Sequence, residues 1–204
     1  SHSSAASVLS KRQVKGYAGT GKTTTVNALI KTLPYFDFKY VMLAPTGRAA
    51  KVMSAYTRKP AFTIHKKIYF KQKTPAGGVF FVTGANLHTN TVFIVDEASM
   101  IGSENYSVSG GGDLLTDLFE YVYNGKNCRL ILIGDGAQLP PVGSDYSPAL
   151  DLKYLKTSFH VTAALSELTD VTRQKEDSGI LDLATRIRKA LEKADMSVFP
   201  MALP

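Results

Sequence analysis

The chain has 204 residues, room for one domain or one domain with a fragment of another, and an apolar fraction of 44%, ordinary for a globular protein. Its single cysteine, Cys128, excludes an intrachain disulfide and a cysteine-based metal site. No apolar run reaches membrane-spanning length and the start is polar, so a reduced, cytoplasmic setting is expected. The formal charge of +7 is unevenly spread: residues 38–95 hold no Asp or Glu, yet carry Lys39, Arg48, Lys51, Arg58, Lys59, Lys66, Lys67, Lys71 and Lys73. Such a stretch predicts a surface that attracts a polyanion, the alternative being a solvated positive face.

Before Gly16 only Val14, Val8 and Leu9 are apolar, so the first strand is expected to be short and edge-like unless further chain belongs there. Gly16-Tyr17-Ala18-Gly19-Thr20-Gly21-Lys22-Thr23 then fits the phosphate-loop pattern of glycine, four residues, glycine, lysine and Ser/Thr. Glycines let the backbone bend so that its N–H groups wrap phosphates. Lys22 supplies a cation for the β/γ-phosphates and Thr23 a hydroxyl for Mg²⁺. The expected nucleotide contacts are Gly16, Gly19, Thr20, Gly21, Lys22, Thr23 and Thr24. A helix from Lys22 to about Leu33 follows, its positive end toward the phosphates, with Pro34 as the stop.

Tyr40–Ala44 is a continuous apolar run, as in a strand covered on both faces, and Arg48–Tyr56 has helical composition. This alternation predicts a parallel α/β sheet flanked by helices. Ile68–Phe70 and Val79–Val82 flank a segment rich in turn residues and predict a β-hairpin. Thr91–Val95 is a buried strand with Asp96-Glu97 at its C-terminal end, where ligand sites of such sheets lie. As a Walker B pair, Asp96 would hold the hydrated Mg²⁺ and Glu97 would polarise the attacking water. Ser107–Gly112 is expected to be a flexible loop, Asp113 to cap a helix to about Tyr123, and Arg129–Ile133 to form another buried strand. Cys128, just before that run, is expected to be a buried structural thiol. Gly134-Asp135-x-x-Gln138 closes the strand with an amide able to report the γ-phosphate. Leu165–Val171 predicts a last strand, and Ile180–Leu191 has the spacing of an amphipathic helix.

In order and spacing these segments resemble superfamily 1 helicases, most closely the RecD-like and Dda-like branch that moves 5′ to 3′. The resemblance rests on Gly16–Thr24 (motif I), Ala44–Ala50 (motif Ia), Thr63-Ile64-His65, Ile94–Met100 (motif II), Ile133–Val142 (motif III) and Glu167–Gln174 (motif IV). It implies a RecA-like P-loop ATPase domain over residues 1–174 with a hairpin insertion at about 68–83. Residues 175–204 would begin a second domain or form a C-terminal packing helix. It implies an ATP- and Mg²⁺-dependent motor that translocates on single-stranded DNA and unwinds duplex and forked DNA. Lys22, Glu97, Gln138 and Arg173 would be catalytic, Arg173 as an arginine finger, and Thr23 and Asp96 would serve the metal. Pro45, Thr46, Arg48, Thr63, His65 and Lys66 would contact DNA, although His65 also fits a plain helix-surface position. Gln13 lies too near the loop for the adenine contact the family places upstream. Motifs V and VI do not follow motif IV here, so the resemblance implies a second RecA-like domain in the full-length protein. A P-loop kinase and an ATP-gated DNA-binding module are the alternatives. DNA stimulation of hydrolysis separates the kinase, and the intact Glu97 argues against a dead site.

Overall fold

The computed structural model describes residues 11–16, 20–73, 77–102, 113–138, 141 and 146–168. The elements in chain order are β1 (Lys11–Gly16), α1 (Lys22–Thr32), β2 (Lys39–Ala44), α2 (Gly47–Thr57), β3 (Ala61–Thr63), α3 (Ile64–Ile68), β4 (Tyr69–Lys73), β5 (Val79–Thr83), β6 (Thr91–Val95), α4 (Leu114–Tyr123), β7 (Arg129–Gly134), α5 (Leu152–Phe159) and β8 (Ala164–Leu168). Six strands form one sheet in the order β3-β2-β6-β7-β1-β8, every pairing parallel, while β4 and β5 pair antiparallel as a separate hairpin. The predicted α/β, RecA-like sheet flanked by helices with a hairpin insertion is thus present.

Strand alternation sorts the core into two layers. Met42, Val92, Ile94, Ile131 and Ile133 pack with Val26 and Ile30 of α1 and Met53 of α2. Leu43, Phe93, Val95, Leu130 and Leu132, one residue out of phase, pack with a second cluster that takes in α3, α4 and α5. Helices on both faces explain why β6 and β7 are buried along their whole length and read as unbroken apolar runs. Fully burying a side chain such as Phe93 or Leu118 stabilises by about 1.5–3 kcal/mol each.

Two expectations need correction, and a third, the end of α1 at about Leu33, holds to within one residue. The first strand, Lys11–Gly16, is short but not edge-like: it pairs with β7 on one side and β8 on the other, and β3 and β8 are the edges. Two ladders of backbone hydrogen bonds hold it, which its polar sequence does not report. α1 ends at Thr32, and Pro34 lies inside a 3-10 turn over Leu33–Phe36, tolerated in the first positions of that turn, where no N–H is required. Ile68 closes α3, so the first hairpin arm begins at Tyr69. Asp113 does cap α4, accepting from Thr116 N at 2.8 Å, and Cys128 is buried, its thiol 3.4 Å from the His88 carbonyl. The last strand is described from Ala164 to Leu168 only. The Ser107–Gly112 loop, the hairpin tip at residues 74–76, Gly19, Arg173 and the helix expected over Ile180–Leu191 lie outside the described residues. Among the described residues no helix is long and apolar enough to cross a membrane.

Candidate active site

β6, β7 and β1 are neighbours in the sheet, and each delivers one motif to the same C-terminal edge. β1 runs into the phosphate loop, β6 into Asp96-Glu97 and β7 into Gly134-Asp135. The register pairs Lys15 with Gly134 and Val95 with Leu132, so the three strand ends lie level to within a few residues. Segments far apart in sequence meet there because a parallel sheet aligns its strand ends.

Gly21 precedes α1 in the left-handed region at φ 85°, a conformation that favours glycine, and Thr25 N donates to its carbonyl at 2.8 Å. The first turn of α1 holds no acidic residue, so nothing there opposes an anion at the helix start. Thr20 is buried, Lys22 and Thr23 are half-buried and Thr24 is exposed. Lys22 Nζ donates to Asp135 Oδ2 at 3.5 Å, and Asp135 also accepts from Ala137 N at 3.0 Å. Gly134 has no room for a side chain: a Cβ there would lie 3.0 Å from the backbone N of Ser99 and 2.9 Å from Leu150 Cδ1. This close approach seats β7 against the turn after motif II.

Asp96 Oδ1 accepts from Glu97 N at 3.0 Å and Oδ2 from the Tyr56 hydroxyl at 3.2 Å. Burial pushes its carboxyl above the usual range, against these two bonds and the nearby Lys22. Glu97 sits at φ 55°, a left-handed conformation uncommon for a non-glycine residue, and begins the turn Ala98–Met100. Burial, then repulsion from Asp96, raises its carboxyl, while Lys22 and a bond from the Gln138 side chain oppose the rise. Ser99 Oγ donates to Gln138 Oε1 at 3.0 Å. The buried serine thereby fixes the amide, leaving its NH₂ group for Glu97. A carboxylate of raised basicity, oriented by an amide beside a lysine, is equipped to take a proton from water near a phosphate.

Thr23 and Asp96 are both hard oxygen donors. Such a pair of donors fits Mg²⁺, which keeps waters and takes substrate phosphate oxygens.

The other end of the same sheet edge carries the candidate DNA residues. Ala44 pairs with Thr63, so the ends of β2 and β3 lie side by side. Thr46 caps α2, accepting from Ala49 N at 3.2 Å, and Thr63 caps α3, accepting from Lys66 N at 3.2 Å. Pro45 is half-buried; Arg48 and Lys66 are exposed. His65 is half-buried, its ring centroid 5.5 Å from that of Tyr69, and burial lowers its pKa. Of the nine basic residues in the acid-free stretch, all but the half-buried Lys67 are exposed. Between α2 and β3 lies an open cavity of about 500 Å³ lined by Gly47, Lys51, Ser54, Phe62, Thr63 and Lys66 among others. Lys66 Nζ stands 5.9 Å from the Phe62 ring centroid.

The structure therefore brings Lys22, Thr23, Asp96, Glu97 and Gln138 together, and sets Pro45, Thr46, Arg48, Thr63, His65 and Lys66 along the adjoining edge. Sequence reasoning missed Tyr56, Ser99 and Asp135 in the first group and Lys51 and Phe62 in the second. Ser99 and Asp135 lie inside motifs already singled out, and Lys51 and Phe62 inside the acid-free stretch. For Tyr56 the sequence carries no signal.

A family model described as an AAA domain matches residues 3–198. The ATP-dependent DNA helicase dda of Enterobacteria phage T4 is 31% identical over 179 residues, covering 86% of this chain and 37% of the relative. The ATP-dependent RecD2 DNA helicase of Deinococcus radiodurans is 31% identical over 169 residues, covering 83% and 20%. The chain thus spans well under half the length of either relative. The crystal structure of Bacteroides sp. Pif1 in complex with ADP-AlF4 has a TM-score of 0.57 at 21% identity, covering 93% of this chain and 44% of that one. The Pif1 helicase from Candida albicans has a TM-score of 0.57 at 20% identity, covering 98% and 47%. At those identities the likeness concerns the fold. The chain belongs to the AAA-domain family, as a motor domain of the superfamily 1, RecD/Dda-like kind.

Proposed function

We propose that this domain is the ATP-hydrolysing half of a DNA motor that translocates 5′ to 3′ on single-stranded DNA and unwinds duplex at forks. The observation that carries the reading is the sharing of one sheet edge. The phosphate loop, acidic pair and Gln138 gather at the ends of β6, β7 and β1, while an exposed basic edge with a groove beside it gathers at β2 and β3. A small-molecule kinase has no use for the second feature.

In this reading Gly16, Gly19, Thr20, Gly21 and Thr24 cradle the phosphates. Lys22 leaves Asp135 for the β/γ-phosphates, an exchange of one anionic partner for another. Thr23 and Asp96 hold Mg²⁺, which supplies neutralisation of phosphate charge when bound. Glu97 accepts the proton of the attacking water. Gln138, held by Ser99, senses the γ-phosphate and reports it toward the DNA edge. Arg173 completes the set as an arginine finger by the family pattern. Pro45, Thr46, Arg48, Thr63, His65 and Lys66 bind the sugar-phosphate backbone, and Lys51 and Phe62 join them. A second RecA-like domain in the full-length protein would close the nucleotide site from the other side. A reduced, cytoplasmic setting fits the single buried thiol.

The test is hydrolysis by the full-length protein with and without single-stranded DNA. Strong stimulation, abolished by Glu97→Gln with nucleotide binding retained, is the expected result. Hydrolysis indifferent to DNA would favour the kinase reading, and DNA binding without hydrolysis the ATP-gated module.

A further inference from the structure

Tyr56 belongs to no motif, yet its hydroxyl reaches the residues proposed to serve the metal. The ring needs no special account. It packs against the cluster of Val26, Ile30, Met42 and Met53 on the α1–α2 face of the sheet. That packing leaves the hydroxyl unexplained. It donates to Asp96 Oδ2 at 3.2 Å, across 40 residues of sequence, with the Thr23 side chain close by. A phenol has one proton, and here Asp96 takes it.

Such a bond has a consequence for the carboxylate. The Asp96 carboxylate is held at both oxygens, by Glu97 N on Oδ1 and by Tyr56 on Oδ2, and cannot swing. Partners of this kind fix the orientation of metal-binding groups. We propose that Tyr56 is a positioning residue of the divalent-cation site, its hydroxyl holding Asp96 in the orientation that binds Mg²⁺ with nucleotide. The inference rests on the proposed reading of Thr23 and Asp96 as metal-binding residues.

Tyr56→Phe in the full-length protein removes the hydroxyl and keeps the ring. The readout is binding of a fluorescent ADP analogue as Mg²⁺ is titrated, with a second titration in EDTA and a melting curve of the nucleotide-free protein. We expect the Mg²⁺ half-saturation point to rise by about 10–100-fold, the usual loss when such a partner is removed. Nucleotide affinity in EDTA should stay as in the wild type. An unchanged half-saturation point overturns the proposal. So does a lower one, because the hydroxyl would then be a placeholder that the cation evicts. Equal losses of affinity with Mg²⁺ and in EDTA, together with a lower melting temperature, also overturn it, since the residue would then be structural. Wild-type binding that ignores Mg²⁺ would instead sink the metal-site reading itself, and the proposal with it.

Discussion

Lys22 on the first turn of α1 and Asp135 just past β7 form an ion pair, Nζ to Oδ2 at 3.5 Å, between groups 113 residues apart. The carboxylate is buried and the lysine nearly so. The lysine expected to bind phosphate therefore already has an anionic partner, and phosphate binding must compete with it. Asp135→Asn removes the competitor and keeps an acceptor for Ala137 N. Its affinity for an ADP analogue should rise several-fold. Lys22→Ala removes the phosphate cation and leaves Asp135 buried without its charge partner, so affinity should fall and the melting temperature should drop. Loss of affinity in Asp135→Asn comparable to that in Lys22→Ala would place Asp135 among the nucleotide-holding groups instead.

Phe62 is exposed at the rim of the groove between α2 and β3, with Lys51 and Lys66 beside it. An exposed ring flanked by two cations matches the way single strands are bound, by stacking and by phosphate contact. Phe62→Ala should weaken single-stranded DNA binding by about 1–3 kcal/mol, roughly 5–150-fold. Lys51→Ala should weaken it less and reduce the salt dependence by about 0.7 in the log–log slope, as for one lost phosphate contact. Anisotropy titrations at several salt concentrations measure both. Unchanged binding in both variants would remove the groove from the DNA path.

The motifs were legible because each is local: the phosphate loop, the acidic pair after an apolar strand and the cap at Asp113 are set by neighbouring residues. The parallel sheet was legible from apolar runs that only two covered faces produce. What did not show was anything decided across the sheet. β1, Lys-Arg-Gln-Val-Lys-Gly, lies between two strands because its backbone is paired on both sides, and side chains do not encode that. α5 went unnoticed, although Leu155 is its only buried residue and Asp151 caps it, accepting from Lys153 N at 2.8 Å and Tyr154 N at 3.0 Å. The Tyr56–Asp96 bond joins one helix to the end of a strand, and no spacing rule reaches that far.

His88 packs edge-on against Phe93, ring centroids 5.4 Å apart, and its pKa is lowered from 6.5 by burial, then by Lys67 and Lys39. In the unfolded chain the imidazole takes a proton more readily than in the folded one. Its contribution to stability is therefore complete above pH 6.5 and is lost as the pH falls through the lowered folded value. His65, lowered by burial, adds in the same direction. Melting temperatures should drop on acidification from about pH 7 to about pH 5. His88→Gln, which does not titrate, should flatten part of that drop. An equal drop in the variant would show that His88 carries none of the acid sensitivity.

The hairpin of β4 and β5 is fastened at its base and bare along its arms. Tyr69 is buried and its hydroxyl donates to Asp117 Oδ2 of α4 at 2.6 Å, while Gly84 N donates to the Ile68 carbonyl at 2.8 Å. Gly84 also passes directly under Phe70, whose ring leaves no space for a Cβ there. Beyond this base, Phe70, Phe81, Lys71 and Lys73 are exposed, and Lys71, cross-strand from Phe81, holds its Nζ 5.8 Å from that ring. An anchored ribbon with exposed rings and lysines suits a pin at a DNA fork. Stacking one base on an aromatic ring is worth about 1–3 kcal/mol. Opening one base-pair step costs roughly 1.4 kcal/mol of stacking on average, so one ring at the fork offsets much of that cost. Replacing residues 73–78 by a two-residue Asn-Gly turn in the full-length protein shortens the tip and spares Tyr69 and the base. Unwinding should fall sharply, with DNA-stimulated hydrolysis and single-strand translocation retained. Phe81→Ala should reproduce part of the loss, because that ring is exposed and does not hold the base. Tyr69→Phe acts differently: it leaves Asp117 without its phenol partner and should lower stability by about 1–3 kcal/mol. If shortening the tip removes hydrolysis and translocation along with unwinding, the hairpin is part of the DNA-binding surface and not a pin.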